Sequence, residues 1–149
     1  MKTKELSLKD AKELVTWQYE EEYSIYNEPS WEEMVKQKRH ITIPSIRKEQ
    51  YVKVIDDNNN FIGYGRIREI FDNYLVGFGM NPIYCGKGLG KEFINTIIKD
   101  LKGTIILEVR ESNKRAIKCY KSVGFKTIDK KYLEDPIKSE YVCIMELKK

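Results

Sequence analysis

The sequence predicts one mixed α/β domain in which a mostly antiparallel sheet is flanked by helices, and three observations carry that prediction. Runs rich in β-branched and aromatic residues at 51–55, 61–70 and 74–80 are separated only by short Asp/Asn turns, the pattern of an antiparallel meander. The glycine-rich turn from Cys85 to Gly90 then opens a segment in which Leu89, Phe93, Ile94, Ile97, Ile98 and Leu101 recur at helical spacing. Finally, the strand-like run Thr104–Val109 leads into a second periodic segment, Asn113–Val123, closed by Gly124.

Taken in order, Lys2–Leu6 reads as a first strand. Ser7 can cap a helix from Leu8 to about Tyr19, with Asp10 in the acid position of a capping box. A second helix is expected from after Pro29-Ser30 to about Arg39, with His40 placed to complement the dipole at its C-terminal end. The meander follows, its first two strands joined by Asp56–Asn60, and it leaves through Asn81-Pro82. Gly103 is placed to cap the Leu89–Leu101 helix and Asn113 to start the next one. Strands near Lys126–Tyr132 and Tyr141–Leu147 complete the order. No linker composition or internal repeat interrupts the 149 residues, so residues 1–149 read as a single domain.

Composition narrows the function classes. The 27 basic and 23 acidic residues leave a net charge of +4, spread too evenly for a nucleic-acid footprint; Lys36–Arg39 and the Lys148-Lys149 tail read as a solvated helix face and a frayed end. Cys85, Cys119 and Cys143 are odd in number and form no C-x-x-C, and there is one His, so neither a disulfide framework nor a metal site is expected. No apolar run approaches the ~18 residues of a membrane span, and the N-terminus has no signal-peptide core, which predicts a cytoplasmic protein without a membrane partner.

The glycine turn is the first chemical motif. Alternating Gly86, Gly88 and Gly90 allow backbone N–H groups to crowd around an anion at a helix N-terminus, with Lys87 and Lys91 adding charge. A Walker A loop is ruled out because Cys85 stands where its first glycine belongs and Glu92 follows Lys91. The dinucleotide fingerprint fails as well, since counting from Gly86 its last glycine falls on Lys91.

Asn113, Ala116, Ile117 and Tyr120 share one face of the following helix, and Gly124-Phe125 ends it. The two motifs at this separation resemble the GNAT superfamily of acyl-CoA-dependent N-acetyltransferases. The resemblance covers roughly Ile62–Phe125, and the ends only by element order. It implies a GNAT-like sheet splayed beside its fourth strand, with acetyl-CoA as co-substrate and direct transfer to a primary amine in a ternary complex. The implied cofactor contacts are Gly79, Met80, Asn81, Cys85, Gly86, Lys87, Gly88, Leu89, Gly90, Lys91, Asn113, Ala116 and Tyr120. Met80 would offer its N–H to the thioester carbonyl, and Gly77 and Gly79 suit a strand that a ligand approaches closely. The family usually has Arg or Gln where this chain has Cys85, so cofactor binding would rest on backbone donors there. Cys85 itself is either an inert thiol or a reactive one near a helix N-terminus.

The resemblance also implies that Tyr120 is the general acid, its phenol remaining protonated at neutral pH. Glu69 and Glu22 are the candidate bases, with a water chain as the alternative. Aromatic residues crowd beside Glu20, Glu21, Glu22 and Glu28, and of these Trp17, Tyr19, Tyr23 and Tyr26 are the expected acceptor contacts. The acceptor is then an amine on a small molecule or peptide: a polyamine, an aminoglycoside-like amine, an amino acid or a protein N-terminus. A homodimer is compatible with the family, and the alternative function is a non-catalytic acyl-CoA-binding sensor of the same fold.

Overall fold

The computed structural model describes all of Met1–Lys149. Seven strands form one sheet: β1 (Lys2–Glu5), β2 (Tyr51–Ile55), β3 (Phe61–Ile70), β4 (Asn73–Met80), β5 (Thr104–Arg110), β6 (Lys126–Leu133) and β7 (Glu140–Lys148). Their spatial order is β1-β2-β3-β4-β5-β7-β6, and every pairing is antiparallel except β4 with β5. That parallel pair requires a crossover, which α4 (Gly90–Ile98) supplies.

Helix α4 packs on the sheet through Phe93, Ile94, Ile97 and Ile98, all buried together with Ile105, Leu107, Phe125 and Met145. Two glycines in β3 permit the close approach. A Cβ at Gly65 would lie 2.8 Å from Ile97, and one at Gly63 would lie 2.7 Å from the Phe93 ring. A second apolar cluster joins α1 (Leu8–Leu14) and α2 (Trp31–Lys36) to the opposite face through Leu6, Ala11, Leu14, Met34, Ile41 and Tyr51.

Several elements end sooner than their periodicity suggests. The Ser7 capping box is present, with Ser7 and Asp10 each accepting the other's backbone N–H, but α1 stops at Leu14 instead of Tyr19. There the Thr16 hydroxyl donates to Glu13 O at 2.6 Å, a side-chain bond that competes with further helix, and Trp17 turns away onto Phe61 with ring centroids 5.0 Å apart. Helix α2 stops at Lys36, not Arg39, because Lys38 takes a left-handed φ of 54°. His40 therefore does not cap it. Helix α3 (Pro44–Gln50) was not foreseen, since Ile46 is the only apolar residue in it apart from Pro44; the proline at its first turn was the available signal.

The end of α4 is also built differently. Gly103 (φ 121°) exchanges two 2.9 Å backbone bonds with Lys149, and Lys149 Nζ donates to Ile98 O at 2.7 Å. The chain's last residue thus supplies the cation at the α4 C-terminus, so its tail is docked where a frayed end was expected. Helix α5 (Lys114–Val123) matches expectation, with Asn113 as N-cap and Gly124 left-handed at φ 119°.

Candidate active site

Strands β4 and β5 pair only from Asn73–Thr104 to Leu75–Ile106, after which β4 runs on to Met80 and β5 to Arg110 without a shared ladder. The sheet therefore splays beside its fourth strand. Asn81 N–H donates to Ile62 O at 2.8 Å, and antiparallel residues alternate in the direction of their polar groups. By that alternation Phe78 and Met80 turn their N–H and C=O away from β3, toward the splay. A cavity of about 600 Å³ occupies it.

The glycine turn forms one rim. Gly86 (φ 74°) and Gly88 (φ 78°) both adopt left-handed backbone, which a side chain would strain. The N–H groups of Gly86, Lys87, Gly88, Leu89 and Gly90 donate to no protein acceptor, so consecutive amides stand free at the start of α4. Lys87 and Lys91 are exposed beside them and belong to no ion pair. Free amides, a helix N-terminus and two cations fit the diphosphate of an acyl-CoA. Gly90 has another purpose: a Cβ there would sit 2.5 Å from Cys119 Sγ, so its lack of a side chain lets α5 pack against α4.

Cys85 directs its thiol toward the carbonyls of Asn81 and Met80, at 3.7 and 3.9 Å. Burial pushes that thiol up, although Arg115 pulls the other way, which favours the inert form over the reactive one. Gly79 lines the cavity and meets a second demand as well. A Cβ there would overlap the Tyr64 ring, so its bareness accommodates a neighbouring side chain, whereas Gly77 faces open space.

Helix α5 forms the opposite rim. Asn113 Oδ1 accepts the Ala116 N–H at 3.2 Å while its Nδ2 donates to the Tyr26 hydroxyl at 3.1 Å, tying the helix start to the aromatic segment. Tyr120 lies between Phe78 and Phe125, with ring centroids 5.9 and 6.0 Å away. Its hydroxyl has no protein hydrogen-bond partner, and burial raises its pKa well above the ordinary phenol value, with Cys119 and Tyr26 adding to the shift. A proton is thus held at the cavity wall.

Trp17, Tyr19, Tyr23 and Tyr26 all line the cavity. The Tyr19 hydroxyl donates to Met80 O at 2.7 Å, and the Arg115 guanidinium sits 4.2 Å over the Tyr23 ring. The two carboxylates singled out from sequence do not join them. Glu22 is exposed on a 3₁₀ turn over Glu21–Tyr26, and Glu69 is exposed opposite Tyr74, roughly 20 Å along the strand from Met80. Glu28 lines the cavity in their stead, and burial raises its carboxyl above the usual range while Arg39 lowers it. Sequence reasoning saw Glu28 only as one acid in a cluster; the signal separating it was Pro29, which keeps the preceding residue out of helix.

Residues 8–125 match the Acetyltransferase (GNAT) family. The chain belongs to that family. It is 30% identical over 114 residues to the [ribosomal protein bS18]-alanine N-acetyltransferase of Escherichia coli (strain K12), covering 71% of this chain and 77% of that one. It is also 30% identical over 73 residues to the N-alpha-acetyltransferase RimI of Mycobacterium tuberculosis, but that match spans only 45% of this chain and 46% of the relative. Among solved structures, the spermidine N-acetyltransferase of Vibrio cholerae, in complex with CoA and spermine, superposes with a TM-score of 0.69 at 19% identity, covering 97% of this GNAT chain and 93% of that chain. The shared fold includes the seven-stranded, mostly antiparallel sheet with its flanking helices.

Proposed function

We propose that the protein is an acetyl-CoA-dependent N-acetyltransferase that moves the acetyl group directly to a primary amine within a ternary complex. One observation carries this reading: Gly86, Gly88, Leu89 and Gly90, whose amides are free, and Tyr120, whose phenol is unpartnered, line the same cavity in the β4–β5 splay. Acetyl-CoA supplies the activated thioester. Gly86–Gly90, Lys87 and Lys91 hold its diphosphate, Asn113 and Ala116 border its arm, and Met80 N–H polarises the carbonyl as negative charge develops. Glu28 takes the amine proton as the C–N bond forms, and Tyr120 donates its proton to the sulfur as the C–S bond breaks. Because it draws on acetyl-CoA, the reading also places the protein in the cytoplasm.

The acceptor is a primary amine on a small molecule or peptide, bordered by Trp17, Tyr19, Tyr23 and Tyr26. A non-catalytic acyl-CoA sensor would need neither a half-buried carboxylate nor a free phenol at this place. Acetyl-CoA and CoA, but not NAD or ATP, should raise the melting temperature, since a ligand at a hundred times its Kd adds ~2.7 kcal/mol. Thiol release with an amine panel then separates enzyme from sensor, and retained acetyl-CoA binding without any release would favour the sensor. Tyr120→Phe should lower kcat ~10- to 1000-fold while leaving acetyl-CoA affinity within about twofold. Unchanged turnover would remove Tyr120 from the chemistry.

A further inference from the structure

A second cavity of about 330 Å³ adjoins the first, sharing Glu28, Tyr64, Gly77 and Phe78 with it. Phe78 is also the residue whose ring lies 5.9 Å from that of Tyr120, so the two cavities meet beside the proposed reacting centre. Gly77 stands at the junction, and a Cβ built on it meets nothing within 4 Å, which leaves the passage open.

The character of this second space differs from the aromatic one. Arg39, His40 and Arg66 line it, and Glu28 is its sole carboxylate. Arg66 is held in place from three sides: its Nε–H donates to Gln50 Oε1 at 2.9 Å, its Nη2–H to His40 Nδ1 at 2.8 Å, and its guanidinium lies 5.4 Å over the Tyr51 ring. Arginine has only donors, so His40 Nδ1 must present a lone pair, and the ring proton resides on Nε2 as one more donor. Arg39 donates its Nε–H to Gln37 Oε1 at 2.8 Å. Neither guanidinium is paired with a carboxylate, and both retain uncommitted N–H groups. Arg39 is exposed and feels the charge of Glu28, whereas Arg66 is half-buried and held in place. Guanidinium groups without a carboxylate ion pair can receive a planar anion through paired N–H donors.

We propose that this cavity is an anion subsite and that the acceptor is therefore an amine bearing a carboxylate or comparable anionic group. The proposal rests on the acetyltransferase reading and deepens it. Glu28 receives the amine end, while Arg66 and Arg39 receive the anionic end. A polycation entering here would meet two guanidinium groups for one carboxylate, so spermidine is a poor fit.

The test titrates three probe classes into CoA-loaded protein by calorimetry: acidic amines such as Ala-Glu, their carboxamide counterparts such as Ala-Gln-amide, and spermidine. Acidic amines should bind at least tenfold more tightly than the carboxamides, with spermidine weakest. That ratio should fall at least tenfold in Arg66→Gln and, separately, in Arg39→Gln, with circular dichroism and acetyl-CoA binding reporting that each variant is folded. Equal binding of the three classes, tighter binding of spermidine, a ratio that neither substitution moves, or no acceptor binding to CoA-loaded protein would each overturn the subsite. The acetyltransferase reading fails by a different result: loss of acetyl-CoA binding by the wild-type protein, or amines that bind without thiol release.

Discussion

The two walls of the cavity are made of different material. On the proposed coenzyme side the groups that would meet the ligand are mostly main-chain amides, held by left-handed backbone at Gly86 and Gly88 and by the start of α4. On the proposed acceptor side they are side chains, gathered from Trp17, Tyr19, Tyr23, Tyr26 and Glu28 in one segment and from Tyr64 on β3, all of which line the cavity. A wall of amides tolerates most side-chain changes but depends on conformation. A wall of side chains depends on each residue's identity and on the packing that aims it.

The sharpest way to break this contrast is at Glu28. Glu28→Gln should lower kcat by ~100- to 10,000-fold, the usual worth of a general base, while Glu22→Gln and Glu69→Gln stay within about twofold. The base acts deprotonated, so kcat/KM should climb as pH rises through the raised Glu28 value, and that limb should vanish in the variant. Linkage has a matching sign: a carboxyl raised by folding is harmless below its unfolded value and destabilises as pH rises through the folded one. At neutral pH Glu28→Gln should therefore melt no lower than the wild type.

Next in size, Gly86→Ala and Gly88→Ala should each weaken acetyl-CoA binding by roughly tenfold, because left-handed backbone costs a side chain about 1–2 kcal/mol. Calorimetry with acetyl-CoA would read this, and an unchanged Kd for both would show that the amides do not hold the diphosphate. Smaller again is a contrast within β4. Gly79→Ala forces a methyl into the Tyr64 ring and should lower stability by about 1–3 kcal/mol in thermal denaturation, whereas Gly77→Ala, facing open space, should change it by under about 0.5 kcal/mol. The smallest effect is expected at Cys85: Cys85→Ser should shift acetyl-CoA affinity less than about threefold, and iodoacetamide should label the native thiol more slowly than free cysteine, as burial raises its pKa. Fast labelling would mean that the thiol is a functional group after all.

Legibility in the sequence follows the same division. The turn from Cys85 to Gly90, the cap at Asn113 and the stop at Gly124 were readable because backbone conformation demands particular residues at particular spacings. The aromatic contacts were readable as a group, by density alone. Only Pro29 set Glu28 apart from its acidic neighbours, because what distinguishes it is burial, and burial depends on how its segment packs in the closed fold. The second demand on Gly79 was hidden for a similar reason: its neighbour Tyr64 lies across a strand pair. Helices end at Leu14, Lys36 and Ile98, sooner than periodicity alone suggests; a hydroxyl competes at the first, a left-handed lysine follows the second, and Lys149 Nζ binds the carbonyl at the third.

Local order is what this chain's sequence determined unaided: the succession of strands and helices, the glycine turn with its free amides, the capped helix bearing Tyr120, and through their spacing the family. Those features depend on interactions within a few residues, and so leave a pattern that can be read along the chain. Tertiary structure decided which carboxylate lines the cavity, where the sheet opens between β4 and β5, and how Arg39, His40 and Arg66 come to share a second cavity. Such choices depend on desolvation and on contacts between segments dozens of residues apart, and only the closed fold brings those segments together.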